Sequence, residues 1–200
     1  MVVGLAVMAP AGSAGPAIAQ TSPGHEAQPQ KMLRYAFLMA QTTFDPAQIT
    51  DLFSRTVAVS IFDAPFENAF LARPTQMRTN TAAAQPEVSE DFKTFTIRIR
   101  PAIYFADAPA FKGPDGMPVK RELTAEDYVY ALKRHYDPRW TSGNFYIFEN
   151  AQTLGLSELR KKVIAAKPPF DYDAPVEGLR TLDRYTLQIR LGVPTPRFTY

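Results

Sequence analysis

The chain has 200 residues, with 22 Lys and Arg against 20 Asp and Glu, and 46% of them are hydrophobic, as is usual for a folded globular protein. Its net charge is +2, and acidic and basic residues are interspersed along the chain, so no basic stripe is present that could bind a nucleic-acid backbone. The absence of cysteine excludes disulfides, thiolate nucleophiles and Cys-ligated metal sites, and two histidines are too few for most metal sites. We therefore expect no metal, no cofactor and no nucleic acid as partner.

The N-terminus is typical of an exported protein. Residues 1–19 are apolar and uncharged and end in the small-residue pattern Ala17-Ile18-Ala19, which predicts a signal peptide. Pro10 and Pro16 interrupt this stretch and argue against a membrane-spanning helix. Residues 20–31 are polar and proline-rich, which predicts a flexible leader, so the folded part should begin at residue 32.

A strand, a polar loop and a helix are predicted next. Leu33, Tyr35 and Phe37 alternate with Arg34 and Ala36, the period-two pattern of a strand with a buried face. A polar loop follows at residues 41–43.

The first predicted helix begins after this loop. Asp45 followed by Pro46 is typical of a helix N-terminus, and Gln48 stands where it could complete a capping box. The apolar residues that follow recur at spacings of three and four as far as Pro65, which predicts one apolar helix face: Ile49, Leu52, Phe53, Val57 and Ile61.

A second strand and helix follow. Phe95, Ile97 and Ile99 alternate with polar residues and predict a strand that ends at Pro101. Residues 109–122 are rich in proline and glycine and predict a long surface loop. The second helix should start at Thr124, with Asp127 reaching back to cap it, and end at Asp137-Pro138. Its predicted apolar face consists of Tyr128, Val129, Leu132 and Tyr136.

The last predicted element is a hairpin. Residues 179–182 and the alternating residues 185–191 read as two strands, and Asp183-Arg184 lies between them as the turn.

These segments, in this order, resemble the family 5 extracellular solute-binding proteins, the oligopeptide, dipeptide, nickel and haem-binding components of ABC importers. The resemblance is carried by residues 86–101 (PEVSEDFKTFTIRIRP), 105–107 (FAD) and 123–134 (LTAEDYVYALKR). Residues 44–47 (FDPA) and 182–189 (LDRYTLQI) add to it. The chain departs from the family where Ala108 replaces the usual glycine after Asp107 and where residues 109–122 are inserted.

The resemblance implies a fold and a role. The fold would be an α/β, periplasmic-binding-protein type II-like architecture, a mixed sheet with flanking helices, and residues 32–200 would form the N-terminal portion of a two-lobe protein. The role would be that of a monomeric periplasmic receptor that closes on a peptide or similar small solute and presents it to ABC permease subunits, with no chemistry on the ligand.

The candidate ligand-binding residues lie in the loop after the first predicted strand: Met39, Ala40, Gln41, Thr42 and Thr43. Open α/β sheets commonly bind ligands at the carboxyl ends of their strands, and related proteins resemble this chain in using this loop. The alternative is that Gln41 and Thr42 only satisfy backbone groups in a surface connection.

Three other side chains admit two interpretations each. Asp45 is favoured as an N-cap, and Trp140 as a residue that fills a small cluster, although it could be an aromatic platform for a ligand. His135 could bind a metal or haem iron, but a favourable charge near the end of its helix is the preferred interpretation.

Two other classes of function remain open from the residues. One is a sensing or protein-interaction module on the same fold, since fold alone does not fix function. The other is a secreted hydrolase, for which Ser54, Ser60 and His135 are available, but no Gly-x-Ser-x-Gly motif frames either serine.

Overall fold

The computed structural model describes residue 34 and residues 36–199. The chain divides after residue 36, and the helices and strands of the described residues belong to the unit that begins at residue 37. The predicted signal peptide, the predicted leader and the strand residues Leu33 and Tyr35 lie outside the described residues. Residues 36–40, which precede the predicted polar loop, contain no strand.

The described part of the chain contains helices and strands in alternating groups. In chain order they are α1 (Leu52–Ala58), β1 (Phe66–Asn68), β2 (Met77–Thr79), β3 (Glu87–Val88), β4 (Thr94–Arg98), α2 (Ala125–Tyr136), α3 (Phe145–Ala151), α4 (Leu156–Ala166), β5 (Leu179–Asp183) and β6 (Thr186–Arg190). A single 3₁₀ turn, Pro138–Trp140, follows α2.

A four-stranded sheet in the order β3-β4-β6-β5 forms the centre of the fold. In the β4–β6 register Phe95 lies opposite Ile189 and Ile97 opposite Leu187, and all four side chains are buried. The predicted alternation in both strands is therefore confirmed. Strand β5 pairs antiparallel with β6, which confirms the predicted closing hairpin. Every pairing among the described residues is antiparallel, so the parallel component of the predicted mixed sheet is not found among them.

Helix α2 covers this sheet and has the predicted boundaries. The Asp127 carboxylate accepts a hydrogen bond from the Thr124 N–H at 2.8 Å, which satisfies one of the free amides at the helix start. Val129 and Tyr136 are buried against the core, and burial raises the pKa of Tyr136 to about 12. Because both ends and the apolar face agree with the sequence, α2 is the best-predicted element of the chain.

The predicted long surface loop, residues 109–122, lies within an ordered ribbon formed by residues 103–123. Tyr104 lies opposite Glu122, and Lys112 opposite Pro118, in isolated antiparallel bridges. The turn at its end closes with a hydrogen bond from the Gly116 N–H to the Gly113 carbonyl, and Gly116 adopts a φ of 76°. Glycine adopts this left-handed conformation without a steric penalty. The proline and glycine residues therefore mark turns within an ordered arm.

The first helix starts later than the sequence predicted. Asp45 accepts hydrogen bonds from the N–H groups of Gln48 and Ile49 through its backbone carbonyl, but these close a single turn. Asp51 is the true N-cap, with its side chain accepting from the Ser54 N–H at 2.7 Å. The predicted apolar face is also wrong in part, because Ile49 is buried whereas Leu52 and Ile61 are exposed.

A separate two-stranded hairpin, β1–β2, was not predicted. Phe66 at its base packs against the core, and Asn80 and Ala82, just after β2, donate backbone hydrogen bonds to the Pro65 carbonyl. Within the described residues, no helix combines the length and the hydropathy that crossing a bilayer requires.

Candidate functional site

The predicted binding segment begins as an open stretch of main chain. Met39, Ala40 and Gln41 are exposed and form no hydrogen bond with another described residue. Leu38 is 94% and Met39 67% exposed, so apolar side chains stand beside these free backbone groups. This stretch offers amide donors, carbonyl acceptors and apolar surface to a partner.

Thr42 and Thr43 are held by α1. The Thr42 N–H donates to Ser54 Oγ at 2.9 Å and the Thr43 N–H to the same oxygen at 3.4 Å. Ser54 is fully buried, so its hydroxyl is fixed by packing. The two threonine amides are therefore already satisfied by Ser54, so α1 holds this end of the loop.

A carboxylate reinforces this attachment. The Thr42 hydroxyl donates to Asp51 Oδ2 at 2.6 Å. The backbone hydrogen bond from Ser54, followed by that from the Thr42 hydroxyl, lowers the pKa of Asp51 to about 2. Asp51 is therefore an anion at neutral pH and acts both as the N-cap of α1 and as the acceptor that orients Thr42.

Asp45 connects the binding segment to α2. The Arg134 guanidinium donates to both of its carboxylate oxygens, at 2.8 and 2.5 Å. Burial alone would raise the pKa of Asp45, but the hydrogen bonds from Arg134 and Gln48 outweigh burial and hold that pKa below its ordinary value. Asp45, which sequence reasoning favoured as a helix N-cap, is thus mainly one half of a two-point ion pair.

The Trp140 ring packs against the arginine of this ion pair. The Arg134 guanidinium carbon lies 5.0 Å from the centre of the Trp140 ring, within cation–π range. The Trp140 indole N–H donates to the Tyr172 hydroxyl at 2.9 Å, and that hydroxyl donates to Asp137 Oδ2 at 2.6 Å. Trp140 therefore has a protein partner on its ring and on its nitrogen, which favours the structural interpretation over a ligand platform.

Asp137 completes the network beneath Trp140. Its carboxylate is fully buried and receives hydrogen bonds from the Arg139 side chain and from Tyr172. Burial would raise the pKa of Asp137, but the hydrogen bonds from Arg139 and then Tyr172 outweigh it and lower the pKa. Charged and aromatic side chains thus form a connected network from Asp45 to Tyr172. The sequence gives no sign of this network, because its members are far apart along the polypeptide.

His135 does not carry the charge that the sequence suggested. Its Nδ1 lies 2.6 Å from Ser142 Oγ, and its ring packs at 4.9 Å on Phe148. Burial, with the nearby Arg134 charge, lowers the pKa of His135 against the opposing effect of Asp45, so the neutral ring predominates at pH 7. Within residues 36–199 no group of three or more His, Asp or Glu side chains is arranged to hold a metal ion.

The serines proposed for a hydrolase are not arranged for catalysis. Ser54 is buried and occupied by the threonine amides, and neither Ser54 nor Ser60 is hydrogen-bonded to His135. Ser142 does contact the imidazole, but its oxygen also accepts the Asn144 N–H, and no carboxylate in the described part of the chain hydrogen-bonds the ring. The described residues therefore lack the carboxylate that orients the histidine in a catalytic triad.

Open clefts elsewhere on the surface are lined by other residues. One of about 550 Å³ lies between α2 and β5 and includes Glu126, Lys133 and Arg180. Another of about 720 Å³ lies beside α3 and α4 and includes Glu149 and Glu158. Both are broadly open to solvent, whereas ligand sites bury most of the ligand surface. We therefore retain the segment around residues 39–43 as the candidate site.

Comparison with known proteins gives one family and several related structures. A model of the family described as "Bacterial extracellular solute-binding proteins, family 5 Middle" matches residues 76–200. The periplasmic oligopeptide-binding protein OppA of Escherichia coli strain K12 is 30% identical over 110 residues, which cover 55% of this chain and 17% of OppA.

Two solved structures show the same fold. The structure that describes peptide binding by the pheromone receptor PrgZ is 29% identical, with a TM-score of 0.54, and the match covers 80% of this chain and 26% of PrgZ. The murein tripeptide binding protein MppA of Escherichia coli is 24% identical, with a TM-score of 0.53, over 78% of this chain and 26% of MppA. The predicted periplasmic-binding-protein type II-like α/β fold is confirmed, with antiparallel pairing throughout the described strands, and the chain spans about a quarter or less of the length of these proteins.

Proposed function

The chain belongs to the family 5 extracellular solute-binding proteins of bacteria, and we propose that it acts in the periplasm as part of the substrate-binding component of an ABC importer. Its ligand would be a peptide, held by non-covalent contacts and passed unaltered to permease subunits. OppA is named for oligopeptide binding and PrgZ for peptide binding, and these names support a peptide in preference to the family's other ligands.

The observation that carries this proposal is the open main chain at residues 39–41. A peptide presents one amide and one carbonyl per residue, so an extended protein segment with free N–H and C=O groups complements any peptide sequence. The exposed Met39 and Leu38 side chains add apolar contact beside these groups. Recognition through the main chain needs no side chain with a shifted pKa, in agreement with capture without chemistry.

The five predicted residues then divide into two roles. Met39, Ala40 and Gln41 would contact the peptide, whereas Thr42 and Thr43 would position the segment, because their amides already donate to Ser54. Asp45, two residues after Thr43, would add a second attachment on the same side through its ion pair with Arg134 of α2. The segment is thus anchored on its C-terminal side and free over the residues that would meet the ligand.

The proposal also assigns roles to the N-terminal residues and to a second lobe. Residues 1–19 would direct export, residues 20–31 would be a leader, and residues 32–200 would be the N-terminal portion of a monomeric two-lobe receptor. The second lobe would supply the opposite wall of the site and close over the peptide.

Proline scanning of the full-length receptor tests the binding segment. Because successive residues of an extended chain point their backbone groups to opposite sides, either Ala40→Pro or Gln41→Pro should remove an amide that donates to the peptide. We expect one of the two variants to bind at least about tenfold more weakly in calorimetric titration, since hydrogen-bond partners left unpaired in a closed site are costly.

The matched control is Gln41→Ala, which keeps the amide and removes only the side chain, and it should bind within about twofold of the wild type. Mass spectrometry of ligands that co-purify with the receptor would supply the peptides for titration. Wild-type affinity in both proline variants, with unchanged thermal stability, would contradict the assignment of this segment.

A further inference from the structure

The loop that joins β1 and β2 places two large apolar side chains where they are least expected. The Ala72 N–H donates to the Ala69 carbonyl at 3.1 Å, so Phe70 and Leu71 occupy the two central positions of a β-turn. Glycine, asparagine, aspartate and proline normally fill such positions. Phe70 is 87% and Leu71 81% exposed, so neither side chain contributes much to the packing of the described fold.

The turn stands at the end of a hairpin with a fixed base. The Ala69 N–H donates to the Gln76 carbonyl at 2.8 Å and extends the β1–β2 ladder up to the turn. Phe66 at the base packs against the core, and four residues of extended chain span about 13 Å. Phe70 and Leu71 are therefore held away from the core on an ordered support.

A cation without an acidic partner lies beside the two apolar side chains. In the hairpin Arg78 pairs with Glu67 at 2.8 Å, and these charges compensate each other. The Arg73 guanidinium donates to the Ala72 carbonyl at 2.8 Å, and no carboxylate of the described residues forms an ion pair with it. The tip, defined as Phe70, Leu71 and Arg73, is thus apolar at its end with one uncompensated positive charge at its side.

We propose that this tip docks on the surface of an anionic phospholipid bilayer. Phe70 and Leu71 would enter the boundary between headgroups and acyl chains, and Arg73 would pair with a lipid phosphate. Aromatic and aliphatic side chains next to an arginine match the apolar interior and the negative surface of such a membrane.

Two side chains and one charge would give weak, reversible contact. Even a single lipid chain anchors a protein only marginally, so the tip would bring the protein to the membrane without fixing it there. This would suit a receptor that must meet membrane-embedded permease subunits and leave again, although docking of the tip does not depend on the proposed peptide ligand. Failure of one proposal would leave the other intact.

Labelling at the tip tests the proposal directly. In the full-length receptor, Leu71→Cys provides a position for an environment-sensitive dye, and these 200 residues contain no competing cysteine. On vesicles of phosphatidylglycerol and phosphatidylcholine we expect a blue shift and increased emission from this dye, and a smaller change on vesicles of phosphatidylcholine alone. Leu182→Cys on β5, where the native side chain is 54% exposed, is the matched control and should not respond.

Substitutions separate the two contributions. Phe70→Ser should weaken co-sedimentation with the anionic vesicles at least about tenfold, because one large apolar side chain would no longer be buried. Arg73→Gln should weaken it about fivefold, and only for the anionic vesicles. All variants share the same N-terminus, so a contribution from residues 1–33 would cancel in the comparison.

Three results would overturn the proposal. The first is a dye at position 71 that does not respond to anionic vesicles. The second is unchanged co-sedimentation of the Phe70→Ser variant. The third is a dye response that appears without lipid and grows with protein concentration, which would assign the tip to contact between copies of the chain.

Discussion

The four-stranded sheet with α2 and the segment of residues 37–62 are stabilised in different ways. In the sheet the side chains of Phe95, Ile97, Leu187 and Ile189 are all buried, and α2 packs against β5 and β6. In residues 37–62 Leu52 is 70% and Val59 72% exposed, although they belong to or border a helix. Apolar burial therefore holds the first region together, and it contributes much less to the second.

Polar contacts replace apolar burial in the second region. Ser54 and Asp51 hold the threonines, and the Asp45–Arg134 pair connects the segment to α2. Segments with few buried apolar contacts open locally at low free-energy cost, and binding loops are commonly drawn from them. The proposed ligand segment is therefore attached to a stable core by a few specific polar groups, and it can be loosened without unfolding that core.

The largest loss of stability is expected from a substitution in the core of the sheet. Phe95→Ala should lower the free energy of unfolding by about 3–5 kcal/mol, because it removes a buried aromatic ring and leaves a cavity. Urea denaturation measures this loss. Leu182→Ala in the same sheet should change it by no more than about 0.5 kcal/mol, since its side chain is half exposed. Equal losses in the two variants would mean that the sheet is not the stabilising core.

Breaking the ion pair should loosen only the second region. Asp45→Asn keeps the size of the side chain but removes its charge, and we expect a local loss of about 1–2 kcal/mol, since Asp45 and Arg134 are largely buried. Hydrogen exchange should accelerate for the amides of α1 and remain unchanged for those of β4 and β6. Acceleration throughout the sheet would contradict the independence of the two regions.

The same ion pair predicts a dependence on acid. The pKa values of Asp45 and Asp137 are lowered in the folded chain, so the unfolded chain binds more protons as the pH falls past the ordinary aspartate value of about 3.9. Their contribution to stability is complete above that value and is lost as the pH drops through the lowered pKa values. Urea midpoints measured from neutral pH to below pH 4 should fall for the wild type and fall less for Asp45→Asn.

Local signals in the sequence predicted the core but not the attachment of the binding segment. The alternation of β4 and β6 and the capping residues of α2 act over a few positions, so they are visible in the sequence alone. Asp45, followed by Pro46, looks like an N-cap in the sequence, but in the structure Asp51 caps α1 and the Asp45 carboxylate binds the distant Arg134. The buried Ser54 hydroxyl beneath the predicted site likewise has no signal near residues 42 and 43.

Removing this hydroxyl should have a smaller effect than breaking the ion pair. Ser54→Ala leaves the Thr42 and Thr43 amides without their acceptor, which should cost about 1 kcal/mol because these amides can still reach water. In the full-length receptor the variant should bind peptide more weakly while the sheet keeps its hydrogen-exchange protection. Unchanged affinity with faster exchange in residues 42–43 would show that Ser54 supports the segment without positioning the ligand.

The smallest effect on stability is expected from substituting an exposed apolar residue of this segment. Leu52→Ser should change the free energy of unfolding by no more than about 0.5 kcal/mol, because its side chain is already in water in the folded chain. It should also reduce the binding of the dye ANS, which reports exposed apolar surface. Ile49→Ser is the matched control, and since Ile49 is one of the few buried apolar side chains of this segment, it should destabilise the segment more than Leu52→Ser does. If Leu52→Ser were as destabilising as Ile49→Ser, apolar packing would be what holds α1, and the hydrogen bonds of Ser54, Asp51 and Asp45 would not be its main attachment.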